Sequence, residues 1–190
     1  MMRAFKYRLY PNKTQIKALS NTLTTCRTLY NHALQHRRKN YEEHRISISC
    51  ATQDNILLAD KEEYDLEVHS QVLQNALKRL DTSYANFFRR VKQKRGKAGF
   101  PRFKGRNSYK SFTYPQSGFE LIEDNRRIRL SQIGDVRIVY SRPIQGIIKT
   151  CCVKREVDKW FVILTCEILP KADEEPVRID LTNAENISVG

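Results

Sequence analysis

A chain of 190 residues can hold one domain, or two small ones, around a real hydrophobic core. Its net charge of +13 and pI near 9.7 call for an anionic partner, nucleic acid before a membrane surface. No apolar run approaches a membrane span and MMRAFKYRLY lacks the apolar segment of a secretory signal, so a soluble cytoplasmic protein is expected. Five cysteines (Cys26, Cys50, Cys151, Cys152, Cys166) without a CxxC pair encode neither a disulfide frame nor a zinc ribbon.

Arg3 to Tyr10 alternates, with Phe5, Tyr7 and Leu9 on one face and Lys6 and Arg8 on the other, as in a half-buried strand. Pro11 stops it. Asn12 then caps a helix, with Gln15 completing a variant of the capping box. Ile16, Leu19, Leu23, Cys26, Leu29, Tyr30 and Ala33 carry an amphipathic pattern to about Lys39. His32 and His36 stand one turn apart, but no third ligand is near, so they read as surface or interface residues. Ser49 begins a short helix that carries Ile56, Leu57 and Leu58, and the acidic run DKEEYDLE after it reads as a connector.

A second long helix is expected from about Ser70. Val72, Leu73, Ala76, Leu77, Leu80, Tyr84, Phe87, Phe88 and Val91 form its apolar stripe, a pattern of core or interface. Gln71, Gln74, Asn75 and Lys78 sit near its start, where amide side chains can read base edges in a groove; plain solvent exposure is the alternative for each.

From Arg89 to Lys110 the chain carries ten basic residues (Arg89, Arg90, Lys92, Lys94, Arg95, Lys97, Arg102, Lys104, Arg106, Lys110) and no acidic one. Such density attracts phosphates and gains from the counterions they release. Phe87, Phe88, Phe100, Phe103, Tyr109 and Phe112 are set among these charges; the alternative is a solvated, flexible basic linker, against which Phe100, Pro101 and Phe103 argue, because such a linker has no use for rings. Gly96, Gly99 and Pro101 turn the segment into a loop, in which Phe100 and Phe103 read as core anchors.

From Ser111 the period becomes strand-like in SFTY, FELI, RRIRL, DVRIVY, GIIKTCCVK and KWFVILTCEI, with turns at Glu123–Asn125, Gly134–Asp135 and Glu156–Asp158. The last two read as a hairpin with Trp160 at its turn end, and with the first strand the set can close a small barrel. Residues 171–176 form a polar linker, followed by the apolar strand VRIDL with Asp180.

These pieces resemble the N-terminal half of TnpB, the RNA-guided nuclease family encoded by insertion sequences. The resemblance rests on FKYRLYPNKTQ, CRTLYNHAL, VLQNALKRLDTSYANFFRRVKQ, GFPRF, the strand ending LTCEI and the tail VRIDL, in the family's order. It implies an α+β fold in which residues 1–11 and 99–170 form an OB-like wedge barrel and residues 12–98 an inserted helical recognition domain. Residues 177–190 would open an RNase H-like (RuvC) domain. The implied partners are a structured guide-RNA scaffold and target-adjacent duplex DNA, with no membrane. By position, Ser70, Gln71, Gln74 and Thr113 look like residues that read the duplex motif. Tyr7, Arg8, Arg102, Phe103, Lys104 and Tyr109 look like backbone and guide contacts, with Lys78, Arg89, Arg90 and Lys92 added to the binding surface.

The family's cleavage uses three acids that hold metal ions. Asp180 matches the first, with Arg178 and Thr182 where the family usually has Gly. The other acids and the family's zinc ribbon have no counterpart here, and one carboxylate cannot hold two metals. The expectation is therefore a non-catalytic nucleic-acid-binding remnant with Asp180 orphaned and no cofactor of its own. The alternative is the front part of a split endonuclease whose catalytic half is a separately encoded chain.

Overall fold

The computed structural model describes residues 1–55, 67–94, 98–122 and 126–168. Strand β1 (Met2–Tyr10) buries Phe5, Tyr7 and Leu9 and turns Lys6 and Arg8 to its other face. Gln15 N donates to Asn12 Oδ1 at 2.8 Å and Asn12 N donates back to Gln15 Oε1 at 3.0 Å, so the capping box at the head of α1 (Lys13–His44) is complete. Gln15 Nε2 also donates to the Asp135 carbonyl at 2.9 Å, which ties the start of the helix to the sheet. Helix α1 runs a turn past Lys39, because Glu42 and Glu43 favour helix and neither Gly nor Pro interrupts it. It ends where Arg45 takes a left-handed conformation at φ 57°.

Ser49 does begin a short helical segment at 50–55, accepting from Thr52 N at 3.2 Å. Ile56, Leu57, Leu58 and most of the acidic run lie outside the described residues, as do the Glu123–Asn125 turn, the linker and Asp180. Helix α2 (Ser70–Gln93) packs on α1 through Val72, Leu73, Ala76, Leu77 and Leu80, all buried. Burial is worth roughly 1.5–3 kcal/mol for each Val or Leu, far above any propensity difference, so packing holds this helix in place. The stripe does not stay inside. Beyond Leu80 it surfaces, leaving Phe88 59% and Val91 50% exposed.

The rest of the described chain is antiparallel sheet: β2 (Ser111–Tyr114), β3 (Phe119–Ile122), β4 (Arg127–Leu130), β5 (Gly134–Val139), β6 (Ile147–Glu156) and β7 (Lys159–Glu167). Its seven strands lie in the order β2-β6-β7-β1-β5-β4-β3, with β1 paired to β7 and β5. Both helices fall between β1 and β2 in the chain, so the first strand crosses the whole helical segment to sit inside the sheet.

The order of strands dictates a curl. β2 and β3 occupy opposite edges, yet only five residue steps separate Tyr114 from Phe119. Five steps span at most about 18 Å, whereas six inter-strand gaps in a flat sheet need about 29 Å. The sheet must therefore bend until its edges approach. The Tyr114 and Phe119 rings lie 6.4 Å apart, and Tyr114 Oη donates to the Ser131 carbonyl at 2.9 Å. No strand pairing joins β2 to β3 among the described residues, so the expected closed barrel is an open, curled half-barrel. Phe112, Ile128, Leu130, Val136, Ile138, Val153, Trp160, Val162 and Leu164 line its buried face.

Candidate nucleic-acid interface

Helix α2 is bound to the sheet edge by one side chain. Arg79 donates through Nη1 to the Ser111 carbonyl at 2.6 Å and through Nη2 to Thr113 Oγ1 at 2.8 Å, while its Nε reaches Asn75 Oδ1 at 3.1 Å. Its guanidinium also lies over the Tyr109 ring, 5.6 Å from the centroid. Tyr109 is 8% exposed and tilts against Tyr30, and burial pushes its hydroxyl pKa far up. Lys104, seven residues before β2, is pinned from both sides of its peptide. Asn31 Nδ2 donates to its carbonyl at 3.0 Å and Asn31 Oδ1 accepts from its N–H at 2.8 Å. The basic loop is thus laid along α1 rather than left free, and Lys104 Nζ rests over the Tyr30 ring at 5.6 Å.

At the far end of the helical pair, rings and cations alternate. Phe100 packs edge-on to Tyr84 and Phe87, with centroids 5.4 and 5.2 Å away, and Phe87 packs against Phe88 at 5.2 Å. Arg38 stacks over Phe100 at 4.8 Å and over Phe103 at 5.2 Å. Phe100 is 39% and Phe103 50% exposed. They are therefore not the core anchors the sequence suggests. Phe100 rests on the half-buried Tyr84 and Phe87 rings at the open end of the helical pair, and the Arg38 guanidinium covers both phenylalanines.

The structure sorts the remaining sequence-derived candidates. Tyr7 is buried, with its hydroxyl on the Arg142 carbonyl at 3.0 Å and its ring edge-on to Tyr140, so it serves the core and offers nothing to a ligand. The same strand alternation that buries Phe5 and Leu9 puts it there. Tyr109 is largely withdrawn from the surface for the reason given above, and Tyr7 leaves the list of contact residues. Arg8 lies between the Tyr10 and Phe161 rings on the sheet's outer face. Ser70 opens α2 and is half-buried, and Gln71 Oε1 accepts from Ser117 N at 3.0 Å, holding the link between β2 and β3. Gln74 and Lys78 are exposed one turn further on, and Thr113 accepts the Arg79 bond. Arg89, Arg90, Lys92 and Arg102 are exposed.

Charge pairing differs between the sheet and the basic stretch. On the sheet, Glu156 accepts from Lys6 and Lys154, Arg129 pairs with Asp135 and Glu120, and Lys149 pairs with Glu167. Hydrogen bonds from Lys6 and Lys154 pull the Glu156 carboxyl down to about 2. Among the described residues, Arg89, Arg90, Lys92, Lys94, Arg102, Lys104, Arg106 and Lys110 form no ion pair. No group of three or more His, Cys, Asp or Glu placed to hold a metal ion is found among the described residues. No described helix is long and apolar enough to cross a membrane.

The family described as a helix-turn-helix domain, of OrfB/IS605 type, matches residues 1–45. Here those residues form β1, the Asn12 cap and the single helix α1. A candidate RNA-guided DNA endonuclease of Escherichia coli (strain K12), InsQ, is 32% identical over 170 residues, which cover 87% of this chain and 40% of that protein. A second candidate RNA-guided DNA endonuclease, from Streptomyces pristinaespiralis, is 36% identical over 174 residues, covering 87% of this chain and 41% of its own length. The chain is a homologue of the TnpB-type RNA-guided endonucleases. It spans about two-fifths of the curated relatives it matches. Its fold resembles the protein in a cryo-EM structure of the Cas12f1–sgRNA–target DNA complex, with a TM-score of 0.50 at 12% identity, over 90% of this chain and 49% of that one.

In this fold, sequence reasoning missed the arginines that hold the interface in shape. Arg79 sits at the apolar–polar boundary of α2, where its charge reads as one more surface cation. Arg37, 7% exposed, donates to Gln53 Oε1 at 2.7 Å and to Asp81 Oδ1 at 3.0 Å, and it lies over Tyr84. Position was the only available signal: both fall next to the apolar stripe of an amphipathic helix, where an arginine stem is half-buried by default.

Proposed function

We propose that these residues act by binding nucleic acid and not by cutting it. The observation that carries this reading is the run of cations between Arg89 and Lys110, whose described members form no ion pair, whereas Lys6, Arg129, Lys149 and Lys154 on the sheet are matched by carboxylates. Unpaired cations at this density are the electrostatic footprint of a phosphate partner. The Arg38–Phe100–Phe103 stack adds half-exposed rings on which unpaired bases can lie.

By homology, the partners are a structured guide-RNA scaffold and the duplex beside its target, with base pairing by the guide reading the remaining sequence. In this reading the half-barrel is an OB-like wedge and the helices between β1 and β2 are a recognition insertion. Gln74 and Lys78, exposed near the head of α2, would face the duplex, with Ser70, Gln71 and Thr113 beside them. In this reading metal-dependent cleavage is no part of what these residues do, and they bind without a metal cofactor. A second reading is that the same residues are the binding front of an endonuclease whose catalytic half is supplied by another chain.

Both readings require tight, salt-sensitive binding. Fluorescence anisotropy of the purified protein with a folded RNA and a DNA duplex, across a salt series, tests them. Log K should fall linearly with log salt. Absence of binding at low salt removes both. Magnesium-dependent cleavage that appears only when a second gene product is added would select the split enzyme.

A further inference from the structure

A second cationic feature lies away from the aromatic end of the helical pair. Ser20, Leu23, Thr24 and Arg27 are spaced i, i+3, i+4 and i+7, so they share one face of α1. Against that face come Arg106, Asn107, Tyr109 and Lys110 from the basic loop, and Arg155 and Val157 from the end of the β6–β7 hairpin. Together they enclose a cleft of about 460 Å³. Three segments far apart in the chain therefore meet around one hollow.

The cleft is built rather than incidental. Its floor is the buried Tyr109, held by Tyr30 and Arg79. The hairpin is joined to the loop where Arg155 N donates to the Lys110 carbonyl at 2.8 Å. Arg155 is oriented by its own Nε bond to the Val157 carbonyl at 3.0 Å and by the Trp160 ring, 6.0 Å away. Four cations line the walls, with the hydroxyls of Ser20 and Thr24 and the amide of Asn107, and no lining residue is acidic. Arg27, Arg106 and Lys110 form no ion pair among the described residues. Arg155 has only the highly exposed Asp158 at 4.0 Å, a contact of little energetic weight.

Four cations held this close repel one another, and an anion in the cleft relieves that repulsion. We infer that the cleft between α1, the basic loop and the β6–β7 hairpin grips the phosphodiester backbone of the bound nucleic acid. It would act as a phosphate clamp separate from the exposed face of α2. The cleft is the size of a small-molecule pocket and cannot admit a duplex, so a backbone segment lies along its mouth. The hydroxyls and the amide beside the cations offer partners to a ribose 2′-OH as well as to phosphate oxygens. This inference rests on the nucleic-acid reading above and adds where the strand is held.

The test compares the whole chain with two variants of equal charge. One is Arg27→Gln, Arg106→Gln, Lys110→Gln in the cleft, and the other is Lys13→Gln, Arg127→Gln, Lys159→Gln at exposed sites elsewhere. Each is titrated against an RNA hairpin and a DNA hairpin of the same sequence over a salt series, with circular dichroism to verify folding. For the cleft variant the slope of log K against log salt should become shallower by about 2 to 3, while the remote variant keeps most of its slope. A cleft variant carrying Arg27→Lys and Arg106→Lys instead should restore the slope, and should do so even if the glutamine variant fails to fold. A larger loss on RNA than on DNA assigns the 2′-OH contacts, and equal loss assigns phosphate alone. If the cleft and remote variants behave alike, the clamp is wrong and the binding function stands. If the unaltered chain binds neither hairpin, both fall.

Discussion

The Arg79 guanidinium on α2 and the Thr113 hydroxyl on β2 are 2.8 Å apart, across a junction that joins the two halves of the described structure. The same side chain holds the Ser111 carbonyl at 2.6 Å, so one cation satisfies polar groups at the edge strand that no other strand pairs. Hydrogen bonds to a charged donor contribute about 1.5–3 kcal/mol each when their loss leaves partners unsatisfied. We expect Arg79→Ala to lower unfolding free energy by about 2–4 kcal/mol in urea, with Arg79→Lys recovering only part, because an ammonium cannot span both acceptors. An unchanged midpoint would show that the helices dock without this clamp.

Gly118 sits at φ +90°, in the short link between the sheet's two edges. A Cβ there would come within 2.8 Å of the Tyr114 ring and 2.9 Å of His69. Gly118→Ala therefore combines backbone strain with a clash in packed surroundings and should cost about 1–3 kcal/mol. Thermal unfolding followed by near-UV circular dichroism measures it, since tyrosine packing reports the curl directly. Gly134, whose φ is +93° with open space around the added carbon, provides the comparison in which strain acts alone.

Acid should loosen the β1–β6 contact in a defined window. Lys6 and Lys154 hold the Glu156 carboxyl at about 2, against an ordinary value of 4.5. A folded pKa below the unfolded one adds stability that is complete above the unfolded value and is lost as pH falls through the folded value. The Glu156 contribution should therefore be constant at neutral pH and disappear between about pH 4.5 and pH 2. Carbon-detected NMR of the Glu156 carboxyl would record the titration, and Glu156→Gln should flatten that part of the stability profile. A midpoint near 4.5 would mean the pair does not persist in solution.

Neutralising Arg89, Arg90, Arg102 and Lys104 together should weaken binding to all sequences. The salt slope should become shallower by about 3, since each lost phosphate contact removes about 0.7–0.9. Gln74→Ala should leave that slope intact and instead narrow the affinity gap between preferred and other duplexes, which competition binding would show. Equal loss on every duplex would exclude Gln74 as a base reader.

The cysteines report packing. All five are free, with Cys26, Cys151 and Cys166 buried and Cys50 and Cys152 half-buried. Burial raises the Cys26 thiol to about 12, so almost no thiolate forms at neutral pH. Mass spectrometry after brief thiol alkylation of the native protein should find adducts on Cys50 and Cys152 and none on Cys26 until denaturant is added.

The local elements were legible in the sequence because each rests on a short-range rule. The two-residue period buries Phe5, Tyr7 and Leu9, the Asn12–Gln15 spacing closes a capping box, and the spacing of Val72 to Leu80 defines a buried helix face. Charge density from Arg89 to Lys110, read with the resemblance to the TnpB family, also indicated the class of partner. What tertiary structure alone decided is which side chains within those patterns remain available. Tyr109 went to the core, whereas Phe100 and Phe103 stayed at the surface, because the volume between packed elements is not written in any local period. The half-barrel's curl follows from which strands neighbour one another, and the cleft of Arg27, Arg106, Lys110 and Arg155 from three distant segments meeting. The range of the governing interactions explains the division. Periodicity and capping act over a few residues, while packing and charge pairing act between groups that only the folded chain brings together.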